Sequence, residues 1–136
     1  MHFSVRSLIG WGAVLALAFS TGPAFAANGA RIYNRFNCDV CHGEMGLGGV
    51  GPRFRHDAFL AFDNYVIGRI LLGGGEMPAF GHRMSNADIA AVASYVRDTW
   101  GGQSGQITAE QVKNERKSVG SIPRQETSPQ SVRQSH

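Results

Sequence analysis

The chain has 136 residues, 43% of them hydrophobic, and carries 13 Lys+Arg against 10 Asp+Glu for a formal net charge of +3. That length makes one domain at most once processed segments are removed. The surplus charge excludes no partner and points to no nucleic acid. In residues 27–106 seven basic side chains (Arg31, Arg35, Arg53, Arg55, Arg69, Arg83, Arg97) face seven acidic ones (Asp39, Glu44, Asp57, Asp63, Glu76, Asp88, Asp98), and the excess falls after residue 106. Nucleic-acid recognition needs basic residues gathered on one folded face.

Residues 1–26 read as a secretory signal peptide: Arg6 precedes an apolar run over residues 8–19, and Ala24-Phe25-Ala26 fits the small-x-small cleavage rule. The run is shorter than the roughly 20 residues that span a bilayer. Cleavage after Ala26 and a periplasmic location are therefore expected, with no membrane span left in the mature chain. Arg6 leaves with the signal, so 12 basic residues then face 10 acidic ones.

Residues 29–37 predict a short helix, with Ile32 and Phe36 spaced i, i+4 and Tyr33 beside them. It delivers Cys38-Asp39-Val40-Cys41-His42, a C-x-x-C-H stretch. Two thiols three positions apart followed by an imidazole are the attachment signature of haem c, the cysteines bonding to the porphyrin edge and the histidine to iron. An exported pair of cysteines would otherwise form a disulfide. A thioredoxin-like site expects a βαβ context and zinc a second ligand pair, and the sequence offers neither.

Residues 42–55 hold Gly43, Gly46, Gly48, Gly49, Gly51 and Pro52 and predict a loop whose backbone lies close to a flat ligand. A helical turn over 58–62 follows, then a helix over 64–72 with Asp63 as N-cap and Val66, Ile67, Ile70 and Leu71 as its buried stripe. Gly73-Gly74-Gly75 ends it, and a second loop carries Met77-Pro78-Ala79-Phe80. Ser85 and Asp88 form a capping box for the strongest helix, with Ile89, Val92, Ala93, Val96 and Trp100 at helical spacing. Thr108 and Gln111 cap a last short helix to about residue 117, and the Ser-, Gln-, Pro- and Arg-rich remainder predicts disorder.

The expected fold class is all-α, organised as 1–26 signal peptide, 27–106 haem domain and 107–136 short helix and tail. A mature core of about 80 residues is small for self-sufficient burial, and a covalently held haem supplies the missing apolar mass. With His42 on one haem face, the candidates for the other are Met45, Met77, Met84, His56 and His82. Met45 lies too close in sequence to cross the plate. Met77 is preferred because Gly and Pro bound its loop, whereas a lone Met more often fills core. Met84 and His82 stay open as alternatives.

Taken in order, Cys38-x-x-Cys41-His42-Gly43, Gly51-Pro52, Gly75-x-Met77-Pro78-x-Phe80 and the helix after Ser85 resemble a class I cytochrome c over residues 29–102. Tyr95-Val96-Arg97-Asp98-Thr99-Trp100-Gly101 and Ile107-Thr108-Ala109-Glu110-Gln111-Val112 are similar to single-haem cytochromes that accompany bacterial periplasmic dehydrogenases. The resemblance implies a small cytochrome c fold in which first and last helices cross beside one covalently attached haem c, ligated by His42 and Met77. It also implies that the Pro52 carbonyl accepts a hydrogen bond from the other nitrogen of His42. Arg53 and Arg55 are candidate propionate partners.

The expected function is electron carriage rather than catalysis, between a periplasmic dehydrogenase and a terminal oxidase or another cytochrome, since two filled axial positions leave no open site. Met45, Leu47, Val50 and Phe80 are expected to form the docking edge. Two rivals remain: a peroxidase-like or sensor haem with a displaceable distal position, and a cytochrome subunit of a larger complex held through residues 107–136.

Overall fold

The computed structural model describes residues 22–102 and 105–120. Among them are five helices, α1 (Gly22–Arg35), α2 (Cys38–His42), α3 (Asp63–Leu72), α4 (Asn86–Trp100) and α5 (Ala109–Gly120), with a 3-10 turn at Ala58–Ala61. No strand occurs among the described residues; one isolated bridge pairs Gly74 with Met77. The fold is all-α. No described helix is long and apolar enough to cross a membrane. The expected signal peptide lies outside the described residues up to position 21, and the expected disordered tail lies outside them from position 121.

Helix α1 packs on α4, and the crossing is set by a glycine. A Cβ at Gly29 would stand 2.5 Å from the Ala91 carbonyl oxygen, so a bare backbone is what lets the two axes approach. Ala91, itself buried, keeps the α4 face low at this point, and Ile32 of α1 is fully buried. The helix ends earlier than the sequence pattern suggests because Asn37 turns left-handed (φ 56°), a conformation that a short polar side chain tolerates. That turn re-aims the chain into α2.

The expected stripe of α3, Val66, Ile67, Ile70 and Leu71, is buried. Asp63 is not its N-cap. Phe62 holds that position in extended conformation without a side-chain cap, and Asp63 is the first helical residue. Its carboxylate is drawn to a stronger partner, pairing with the buried Arg97 guanidinium at 2.7 Å and accepting from Gln111 Nε2 at 3.1 Å. Arg97 Nε also donates to the Leu60 carbonyl at 2.8 Å, so one side chain of α4 ties down the 3-10 turn and α3 together.

The capping box of α4 is complete, with Asp88 N–H donating to Ser85 Oγ and Ser85 N–H to Asp88 Oδ2. Such a cap contributes about 1 kcal/mol. Thr108 and Gln111 cap α5 in the same reciprocal way. Helix α5 belongs to the body: Ile107 and Val112 are fully buried, and the buried Ser94 hydroxyl accepts from Ile107 N–H at 2.8 Å while donating to the Ala90 carbonyl at 2.7 Å.

Candidate haem site

The five residues of α2 are helical, so Cys38, Cys41 and His42 occupy i, i+3 and i+4 and share one face. Gly43 (φ 78°) stops the turn, and the following loop folds back through Gly48 N–H to the His42 carbonyl and Gly51 N–H to the Cys41 carbonyl, both at 2.9 Å. This return carries Pro52 to the imidazole. His42 Nδ1 lies 2.9 Å from the Pro52 carbonyl oxygen. A carbonyl can only accept, so Nδ1 carries the proton and Nε2 keeps its lone pair for a metal. The close pass needs Gly51, where a Cβ would stand 2.8 Å from His42 Cε1.

The ring is 7% exposed and stacks on Phe54 at 4.3 Å between centroids and 18° between planes. Phe54 in turn stacks on Trp100 at 5.7 Å, and Tyr33 packs against Trp100 at 5.3 Å. The Tyr33 hydroxyl donates to the Gly43 carbonyl at 2.8 Å, which ties the end of α2 to α1. Burial, with the neighbouring Cys38 and Asp39 charges adding to it, pushes the Tyr33 phenol well above its ordinary range. The polypeptide's Cys38 thiol is likewise pushed up to about 11, by burial first and then by Asp39 beside it.

Two adjoining clefts open between α2 and the loop after α3, and both are lined by Cys38, His42, Pro52, Gly74 and Met77. The inner one encloses about 820 Å³, counting its mouth, and its wall includes Tyr33, Phe54, Leu60, Val66, Ile70, Val92 and Val96. The outer one adds Cys41, Val50, Pro78 and Phe80. Imidazole, two thiols and a thioether thus stand around a hydrophobic slot, a donor set and lining that fit a covalently held haem.

Of the remaining ligand candidates, Met84 lines the inner cleft but is 5% exposed and part of the core. Met45 is 57% exposed, His56 and His82 are exposed, and none of the three lines either cleft. Phe80 is not on the docking edge: it is 7% exposed and meets Phe36 edge-on at 6.2 Å, because the backbone after Pro78 turns inward. Arg53 and Arg55 line neither cleft, and Arg55 Nε donates to the Met45 carbonyl at 3.0 Å. The guanidinium at the slot belongs to Arg69, over the Tyr65 ring at 5.8 Å and bonded to the Gly73 carbonyl. Its i, i+4 relation to Tyr65 was the available signal. Phe54 was also missed, because no local pattern announces which aromatic will stack on a histidine.

A helical shell around such a slot defines a haem-binding class, and the comparisons narrow it. Residues 24–96 match the family described as cytochrome C oxidase, cbb3-type, subunit III. The chain is 38% identical over 102 residues to a cytochrome c6 of Picosynechococcus sp., covering 62% of this chain and 86% of that protein. To a cytochrome c6 of Synechococcus sp. it is 36% identical over 94 residues, covering 59% and 81%. To the cbb3-type cytochrome c oxidase subunit FixP of Azorhizobium caulinodans it is 37% identical over 84 residues, 57% of this chain but 28% of that one. The chain belongs to the class I c-type cytochromes. It is a haem electron carrier, and the family's cofactor is covalently bound haem c.

Proposed function

We propose that the mature protein, cleaved after Ala26, works in the periplasm with a single haem c joined to Cys38 and Cys41 and axially held by His42 and Met77. The observation that carries this is the position of His42 and Met77, which line the same two clefts together with the first cysteine. Bound haem c supplies a one-electron ferrous/ferric couple. The residues around it orient and shield. Pro52 and Phe54 fix the plane and tautomer of His42, Val66, Ile70, Val92 and Val96 exclude water, and Met77 presents a thioether from a loop stiffened by Pro78.

Electrons pass through partners that dock briefly over a small area. Exposed Val50 lines the outer cleft, and with exposed Val40 on α2 and exposed Met45 and Leu47 on the following loop it supplies apolar surface for such contacts. The likeness to an oxidase subunit supports a terminal oxidase on the accepting side, and the dehydrogenase on the donating side rests on the resemblance of residues 95–112. The same oxidase likeness favours a second reading, in which the chain is a cytochrome subunit of a larger oxidoreductase complex. Co-purification of the native protein separates the two: a carrier leaves its partners at moderate salt, a subunit does not.

The ferric absorption spectrum tests the ligand set. A low-spin spectrum with a methionine-to-iron charge-transfer band is expected. A high-spin spectrum without that band would overturn the carrier assignment in favour of a peroxidase-like or sensor haem, for which exposed His82 offers no group at the slot.

A further inference from the structure

The segment that follows Met77 is fastened from two sides. On one side Phe80 N–H donates to the Ile70 carbonyl at 3.0 Å and Gly81 N–H to the Leu71 carbonyl at 3.1 Å, which lays the segment along the end of α3. On the other side stands Arg116 of α5. Its Nε donates to Asn86 Oδ1 at 3.0 Å, its Nη2 to the Met84 carbonyl at 3.3 Å, and its Nη1 to the Gly81 carbonyl. One rigid guanidinium fork therefore grips three acceptors spread over residues 81–86. A Cβ at Gly81 would lie 2.9 Å from the Leu71 oxygen and 3.4 Å from Arg116 Nη1, so the backbone is seated between α3 and α5.

The opposite end of the same segment is a glycine turn closed on itself, with Gly74 N–H donating to the Met77 carbonyl at 2.9 Å and Met77 N–H to the Gly74 carbonyl at 3.2 Å. Gly73, Gly74 and Gly75 all have positive φ (69°, 147° and 61°), and Gly74 and Gly75 are exposed. Those bonds tie Met77 to its own turn and not to the body of the fold, so what seats the turn on the slot is whatever is fixed beyond it. Beyond Met77 the chain is fixed by the Phe80 and Gly81 bonds to α3 and by Arg116 of α5, and α5 lies outside the matched family region, which ends at residue 96.

We propose that Arg116 is a positioning residue for the sixth ligand: through Gly81, Met84 and Asn86 it keeps the Met77 loop closed on the slot, so that α5 sets how readily the thioether leaves iron. This rests on the assignment of Met77 as axial ligand. The test uses the full-length holoprotein as wild type, Arg116→Ala and Arg116→Lys. In each, the ferric charge-transfer band is followed against temperature beside far-ultraviolet ellipticity, and imidazole is titrated as competing ligand. With several charge-assisted bonds removed, Arg116→Ala is expected to bind imidazole at least about tenfold more tightly. It should also lose the band at a temperature where the helices are still intact, with Arg116→Lys intermediate. Band and ellipticity melting together at wild-type imidazole affinity would overturn the proposal and leave Arg116 a structural residue only. A wild-type protein without the band would instead overturn the Met77 assignment beneath it. Should Arg116→Ala not fold, Asn86→Ala removes one acceptor alone; tighter imidazole binding, by about threefold, supports the proposal, and unchanged binding overturns it.

Discussion

The two walls of the haem slot are built on different principles. The histidine wall is local: α2, the Gly-rich return and Pro52 lie within residues 38–52, and its ring is locked by one hydrogen bond and one stack. The methionine wall borrows its order from elsewhere, since Met77 follows three left-handed glycines and its downstream anchors are the end of α3 and a side chain on α5. A wall closed by near-neighbour contacts resists local opening more than one that leans on two separate elements, the end of α3 and a side chain of α5. On the proposed ligation, the histidine would be the permanent ligand and the methionine the conditional one.

The sharpest way to break that contrast is at the cysteines. Replacing Cys38 and Cys41 with alanine should abolish covalent retention, so that acid-acetone extraction removes all haem. Next comes Met77→Ala, expected to lower the reduction potential and admit exogenous ligands. A hundredfold loss of preference for the reduced state corresponds to about 120 mV, at 59 mV per tenfold for one electron. Met84→Ala is the control, because that side chain is core: it should cost about 2–5 kcal/mol on denaturation while the charge-transfer band persists.

On the histidine side Gly51→Ala drives a methyl group into the imidazole and should cost about 1–3 kcal/mol, read as a lower denaturation midpoint and a changed imidazole environment in the paramagnetically shifted NMR lines. Tyr33→Phe is the mildest change, at about 1 kcal/mol for the bond to Gly43. Its sign with pH is fixed by the raised phenol: the stabilisation is complete below the ordinary tyrosine range near pH 10 and falls as pH rises toward the higher folded value. Denaturation at alkaline pH should therefore separate wild type from Tyr33→Phe less than at neutral pH.

The sequence carried the histidine wall almost whole, because C-x-x-C-H, the glycine cluster and Gly-Pro encode contacts between near neighbours. Capping boxes at Ser85 and Thr108 were legible for the same reason. What was not legible joins distant segments. Asp63 looked like a cap until Arg97, 34 residues on, outcompeted its own helix for the carboxylate. Phe80 looked like surface because nothing nearby says that Ile70 and Leu71 pull its backbone inward. Arg69 rather than Arg53 or Arg55 reaches the slot, an outcome decided by helix phase and not by proximity to the glycine loop. Arg116 sat in a stretch that read as little more than a prelude to the tail.

Synthesis runs from the N-terminus, and the order of segments gives the clasp on α5 a consequence in time. The thiols and imidazole of residues 38–42 leave the ribosome first, the methionine loop follows, and Arg116 comes late, near the end of the described chain. Until that last helix docks, the slot has one finished side and one unsecured side. In the proposed periplasmic protein the attachment motif thus stands far in sequence from the clasp on α5, and haem joined at Cys38 and Cys41 would lie in a slot still open on one side until that helix docks.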